Sequence, residues 1–330
     1  MDNPERLEPR TIGDIIDKSV GIYRRHFAIF FSALAVCSLP PWIVAEAMNS
    51  QSSAPGASEA DFAPLLRMLL LLPATLVTQV LFYRFSEAMI TLMVSNSYLG
   101  RPFLMSDIVR QSLRRLPTLL ATVMMTLLVT LVAGVIAAIP FIAIAVVIGL
   151  STSGQVVMII IIMIGTIVCI GVCLLVSLPL FLVSEAVMLE RLGAWESMVR
   201  SYELVVKKSP KGWLNPANHS LRLGILLLMF FILNVMALLI SRLPFSAYGA
   251  YVAITQGGGF RAFTETVGSF NLAISLLGML GSALVQPLGI AATVLFYYDL
   301  RVRTEGFDLD LLAKEMGAAS PAQQFGDAPK

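Results

Sequence analysis

Apolar residues in this chain gather into long unbroken runs instead of alternating with polar ones. The runs cover about residues 27–48, 64–97, 116–150, 156–184, 221–240 and 270–298, and each reaches the roughly 20 residues that a helix needs to cross a bilayer. This pattern predicts an all-α membrane bundle of six transmembrane helices. The second, third and fourth runs exceed the minimum, which predicts tilt or kinks rather than extra crossings. Pro73, Pro140 and Pro179 mark the expected kink points, because each removes a backbone donor from its helix. Pro40-Pro41 is expected to bend or end the first span near its outer edge. Residues 49–63 read as a flexible polar loop. Residues 241–269, with Gly257-Gly258-Gly259 and the aromatics Tyr248, Tyr251, Phe260 and Phe263, read as an interfacial loop or short helix, with a substrate gate as the sharper alternative.

Ahead of three of these runs the polar and apolar positions take up a helical rhythm, and the same elbow recurs. The copies are Thr11-Ile-Gly-Asp14-Ile-Ile-Asp-Lys-Ser19, Ser106-Asp107-Ile-Val-Arg-Gln-Ser112 and Gly193-Ala-Trp-Glu196-Ser-Met-Val-Arg-Ser201. An acid stands five positions before a serine in each, and the three acids recur at a spacing of about 90 residues, the signature of an internal repeat. The expected layout is one membrane domain over residues 1–317. Its repeats cover about 10–100, 101–192 and 193–305, each an amphipathic elbow plus two spans, and residues 318–330 form a disordered tail. In the first elbow Ile12, Ile15, Ile16, Ser19 and Tyr23 share a stripe; in the third, Trp195, Met198, Val199, Tyr202 and Val206 do, opposite Glu196, Arg200, Glu203 and Lys207. Such helices bury the apolar stripe at the headgroup boundary or against the bundle. Acids open the elbows and the basic pairs Arg24-Arg25, Arg114-Arg115 and Lys207-Lys208 close them, in keeping with the helix dipole. The pairs are candidate contacts for anionic lipid headgroups, at roughly 1 kcal/mol per residue, or for a protein partner. The plainer reading is that the elbows anchor and orient the spans that follow.

Composition agrees: 57% of the 330 residues are apolar and 13% charged, with a mean hydropathy of +0.82, more apolar surface than a soluble domain hides. The net charge of +2 conceals a strong polarisation. Arg6, Arg10, Lys18, Arg24 and Arg25 precede the first run, and Arg101, Arg110, Arg114 and Arg115 follow the second. Six more, from Arg191 to Arg222, follow the fourth, and Arg301, Arg303, Lys314 and Lys330 close the chain. The opposite side holds Arg67, Arg242 and Arg261, so the positive-inside rule places both termini in the cytoplasm. Topology thus accounts for the basic residues, and nucleic acid is not an expected partner. Asp2, Glu5, Glu8, Asp14 and Asp17 argue against a cleavable signal peptide.

Chemistry-bearing residues are few. Cys37, Cys169 and Cys173 fall inside spans and read as small apolar packing, and His26 and His219 stand apart, so no metal site, cofactor or catalytic constellation is expected. Arg84 and Glu87 stand three apart within the second span and so share a helix face. Ser86-Glu87-Ala88-Met89 is echoed by Ser184-Glu185-Ala186 in the fourth span, and Asp299 follows Tyr297-Tyr298 at the matching end of the sixth. Arg84, Glu87, Glu185 and Asp299 are therefore a candidate intramembrane polar cluster. The alternative is that Arg84 closes an internal ion pair or snorkels to the surface. Gln79, Asn234 and Gln286 also need partners at this depth, and Gly278, Gly281 and Ser282 offer a small-residue packing face.

The opening segment Arg10 to Phe27, the central Met188-Leu-Glu-Arg-Leu-Gly-Ala-Trp-Glu-Ser-Met-Val-Arg-Ser-Tyr-Glu-Leu-Val206 and the closing Phe296-Tyr-Tyr-Asp-Leu-Arg-Val-Arg-Thr-Glu-Gly-Phe-Asp-Leu309 resemble bacterial membrane proteins of the glycerophosphoryl diester phosphodiesterase membrane domain family. The resemblance implies a polytopic helical bundle in the bacterial cytoplasmic (inner) membrane. It does not imply ester hydrolysis, because in that family the label comes from a separate soluble catalytic domain, for which this sequence leaves no room. Two readings follow. One is a non-catalytic scaffold or accessory subunit of a membrane or envelope complex, with a protein partner in the membrane or cytoplasm. The other is a carrier of a lipid-linked or small anionic substrate. An intramembrane enzyme is the weakest of the classes considered.

Overall fold

A computed structural model describes residues 11–52, 63–149, 155–207, 218–255 and 259–306. These residues form ten α-helices and no strand. Helix α1 (Ile12–Arg25) opens on a capping box: Asp14 accepts hydrogen bonds from the Thr11 amide at 2.9 Å and hydroxyl at 2.6 Å, while Thr11 Oγ1 accepts from the Asp14 amide at 3.2 Å. That reciprocal exchange satisfies orphan donors of the first turn. A break at His26 separates α1 from α2 (Phe27–Ser52), which is followed by α3 (Ala63–Tyr98), α4 (Met105–Gly149) and α5 (Gln155–Ser177). A 3₁₀ turn at Leu178–Leu180 leads into the short α6 (Val183–Leu189), and α7 (Ala194–Tyr202) runs into a π turn at Glu203–Lys207. Helices α8 (His219–Thr255), α9 (Gly259–Ser269) and α10 (Asn271–Glu305) complete the chain.

Among the described residues, five segments are long and apolar enough to cross a membrane: Phe27–Met48, Met105–Val147, Val157–Leu189, His219–Thr255 and Asn271–Glu305. By length and composition this is a multi-pass membrane protein. Helix α3 carries Thr75, Thr78, Gln79, Arg84, Ser86 and Glu87 among its apolar residues. Helix α10 is the hub, packing against α1, α2, α3 and α8. Its residues Ile290 to Leu300 are buried without interruption, against Ser86–Val94 of α3 and Val183–Met188 of α6. The core therefore sits at the end of the bundle formed by α1, α6, α7 and the last turns of α10, the basic end. Helix α5 packs mainly on α4, which also packs on α3, α6 and α7.

The serine of each elbow faces this core. Ser19, Ser112 and Ser201 are fully buried, as are Ile15 and Ser197, and Ile108 is nearly so. Ser19 Oγ donates to the Ile15 carbonyl at 2.6 Å and Ser201 Oγ to the Pro179 carbonyl. The small side chain lets each elbow approach the bundle closely.

The structure departs from the sequence-based expectations at three places. The second elbow is not a separate helix, because α4 runs from Met105 through Pro117 and Pro140 without interruption. Pro40 and Pro41 likewise lie inside α2; beyond them Trp42 Nε1 donates to Ser275 Oγ at 3.2 Å and Ser275 Oγ to Glu46 at 3.1 Å, which holds the distal turns on α10. Of the expected kink points, Pro179 falls in the 3₁₀ turn, and Pro73 and Pro140 lie inside α3 and α4. The apolar run expected to end at residue 240 continues as helix to Thr255, and the Phe245 and Tyr248 rings pack on Phe270 with centroids 5.3 and 5.8 Å away, Tyr248 edge-on. Helix α9 folds back onto α8 at Gly249, where a Cβ would lie 2.6 Å from Val267 Cγ2. Most of the expected polar loop 49–63 and the expected disordered tail 318–330 lie outside the described residues.

Candidate functional site

Within α3, residues 84 and 87 fall on one face, and Arg84 Nη1 meets Glu87 Oε2 at 2.7 Å. The guanidinium also stands 5.6 Å from the Tyr83 ring centroid. The 3₁₀ turn at Pro179 re-aims the chain so that α6 presents Ser184 and Glu185 to the same place. Ser184 Oγ lies 2.7 Å from Glu87 Oε1 and 3.2 Å from Glu185 Oε2, so a single hydroxyl proton serves two carboxylates. Thr293 of α10 borders Glu185, which is 2% exposed. Gln286, beside Tyr83, buries its amide nitrogen with no hydrogen-bond partner among the described residues. Three of the four residues of the candidate cluster thus converge where α3, α6 and α10 meet.

Asp299 belongs to a second group, six residues further along α10. It accepts from Arg222 Nη1 of α8 at 2.9 Å and from Arg303 Nε at 2.9 Å. Both members of the Arg222–Asp299 pair are buried, and Arg222 also stands 5.6 Å from the Phe296 ring centroid. Next to it His219 Nδ1 is 2.9 Å from the Leu204 carbonyl, joining α8 to the π turn. Asn234 donates to its own helix at Phe230, and Gln79 is exposed.

A third ionic group ties the ends of α6, α7 and α10 together. Arg200 forks onto Glu190 at 2.9 and 3.0 Å and onto Glu305 at 2.6 and 2.7 Å. Tyr297 donates to Glu190 Oε1 at 2.6 Å, and Arg301 Nε lies 3.3 Å from the same oxygen. Partial burial opposes the Arg200 charge, but the hydrogen bonds and charges of Glu305 and Glu190 outweigh it and hold the guanidinium above its ordinary value. Sequence reasoning counted Arg222 only as a topological charge and set Arg200 on the polar face of the third elbow. The closing segment did carry a signal: Asp299 with Arg303 and Arg301 with Glu305 are i,i+4 pairs on a helix that is otherwise apolar.

Of the basic elbow pairs, Arg24, Arg25 and Arg114 are exposed. Arg115 is half-buried and donates to the Arg191 carbonyl at 3.3 Å, where Arg191 takes a left-handed φ of 58°. Lys207 closes the π turn, and Lys208 lies outside the described residues.

A cavity of about 740 Å³ opens between α4 and α5, within the size range of small-molecule pockets. Its walls are apolar, and its few polar groups turn back onto the helices: Cys169 Sγ lies 3.8 Å from the Gly134 carbonyl, Cys173 Sγ 3.8 Å from that of Thr130, and Thr166 donates to Ile162. The helices touch closely at Gly165, where a Cβ would stand 2.7 Å from Phe141. Comparison with protein-family models, curated proteins and solved structures finds no match to this chain.

Proposed function

We propose that this chain is a non-catalytic, multi-pass protein of a bacterial inner membrane, acting as a scaffold or accessory subunit of a membrane or envelope complex through its α4–α5 hairpin. The observation that carries the reading is the hairpin's lack of cover: none of the most apolar stretch of α4 and 6% of that of α5–α6 is buried, against half of that of α10. A hairpin whose most apolar stretches are this open is available to another membrane protein. The intramembrane charges favour the same reading, since Arg84 and Arg222 pair inside the bundle, a pattern that stabilises a framework.

The proposal includes six spans, with α3 as the second, in three repeats of elbow plus two spans, both termini in the cytoplasm and anionic lipids around the basic end. The matched burial of Ser19, Ser112 and Ser201 supports the repeat, and the family resemblance supports the membrane assignment. Photo-crosslinkers at Leu128, Ile136 and Ile160 in native membranes, followed by purification in mild detergent, are expected to trap one stoichiometric protein from the hairpin, while a crosslinker at buried Thr293 traps none. A monodisperse chain crosslinked only to lipid would overturn the scaffold reading. The convergence of Arg84, Glu87, Ser184 and Glu185 favours a second reading, a carrier of a lipid-linked or small anionic substrate. On that reading Arg84→Ala abolishes solute or lipid movement in liposomes.

A further inference from the structure

Helix α7 is mounted with its apolar side outward. Trp195, Val199 and Tyr202 recur at spacings of four and three on its outer face and are 64%, 42% and 50% exposed, and Val206 continues the line. The inner face carries Ser197, Met198 and Ser201, all buried, and Arg200, which is drawn inward by its forks onto Glu190 and Glu305. Hydrophobic burial alone would roll this helix the other way; the four charge-assisted hydrogen bonds of Arg200 and the close fit of its serines fix it as it stands. Helix α4, which packs against α7, does the same in its first turns: Met105, Val109 and Leu113 form an exposed stripe over the buried Ile108 and Ser112.

We infer that these two outer faces together form a surface that seats the basic end of the protein in the headgroup boundary of an anionic bilayer leaflet. Tryptophan and tyrosine, apolar in body and polar at one edge, are the side chains enriched at that depth. Helix α7 follows within a few residues a membrane segment that ends at Leu189, so its start stays close to the membrane boundary. Exposed Arg110, Arg114 and Arg191 flank the apolar stripes, while the exposed acids Asp107 and Glu196 sit in first helical turns, where the helix dipole offsets them. An apolar stripe bordered by guanidinium groups matches acyl chains beneath anionic headgroups.

The inference rests on the membrane reading but not on the existence of a protein partner, and purified protein alone tests it. With Trp42→Phe and Trp213→Phe, Trp195 is the sole tryptophan. In vesicles of phosphatidylcholine with phosphatidylglycerol, its emission is expected to be quenched severalfold more by lipids carrying a nitroxide near the headgroup than by aqueous iodide. Removing the phosphatidylglycerol is expected to reduce that quenching. Independently of those two substitutions, a nitroxide attached at Tyr202→Cys should collide with membrane-dissolved oxygen more than with a water-soluble nickel complex. If iodide and nickel dominate, the face opens to water, and the inference is overturned in favour of a protein-docking surface. Loss of the crosslinked partner of the hairpin would leave these readouts unchanged.

Discussion

At the scale of single residues, the interior charges act as fasteners between helices. Removing Arg84 strands Glu87 beside Glu185, so Arg84→Ala should cost about 3–5 kcal/mol of unfolding stability in a detergent titration, and Arg84→Ala with Glu87→Gln should recover part of it. Gly165→Ala drives a methyl group into Phe141 and should cost about 1–3 kcal/mol, relieved by adding Phe141→Ala. Of these residues, the Arg84–Glu87 pair was legible in the sequence, because i,i+3 spacing on a helix fixes proximity. The approach of Glu185 was legible only as an echoed Ser-Glu-Ala. The partner of Asp299 was not, since Arg222 lies 77 residues away and only the packing of α8 on α10 brings the two together.

At the scale of elements, the starts of α2, α3, α5, α8 and α10 could be read from hydrophobic runs, but α4 begins at Met105, well before its run. Pro40 and Pro41 lie inside the continuous α2 and do not end their span, since tertiary contacts outweigh the lost backbone bonds. The rotation of α7 was illegible for a related reason. Its amphipathic pattern names two faces, and which one turns inward is decided by Glu190 and Glu305, neither of which belongs to that helix. Arg200→Gln should therefore loosen α7 and the last turn of α10 together, raising amide exchange over residues 195–202 and 301–305 by roughly tenfold or more, the equivalent of about 1.4 kcal/mol or more of lost charged hydrogen bonding. Helix α9, held elsewhere on α8, should keep its exchange rate.

For the whole molecule, the asymmetry of packing is the main property. A buried core fills the basic end while the most apolar stretches of α4 and α5 stay uncovered, so heat or detergent should separate the hairpin before the hub. Limited proteolysis on partial unfolding should first cut the connection between α4 and α5, leaving the α1–α3 and α8–α10 segments associated. Reporter fusions at the two termini should both register the cytoplasmic side, and a split result would sink the six-span topology. The apolar class and the end that carries the charge were legible from composition and run length; the one-sided core was not, because lipid-facing and protein-facing apolar residues look alike in sequence.

The continuity of α4 carries a mechanical consequence. Its 45 residues make a rod of about 67 Å, longer than the hydrocarbon layer of about 30 Å. The first elbow joins its span through a break at His26, and the third runs into a π turn. The second continues into its span as unbroken helix, with Pro117 and Pro140 the two positions inside it that lack a backbone donor. If those prolines leave the rod straight, a tilt of about 5° at Met105–Leu113 becomes a displacement of about 6 Å at the opposite end.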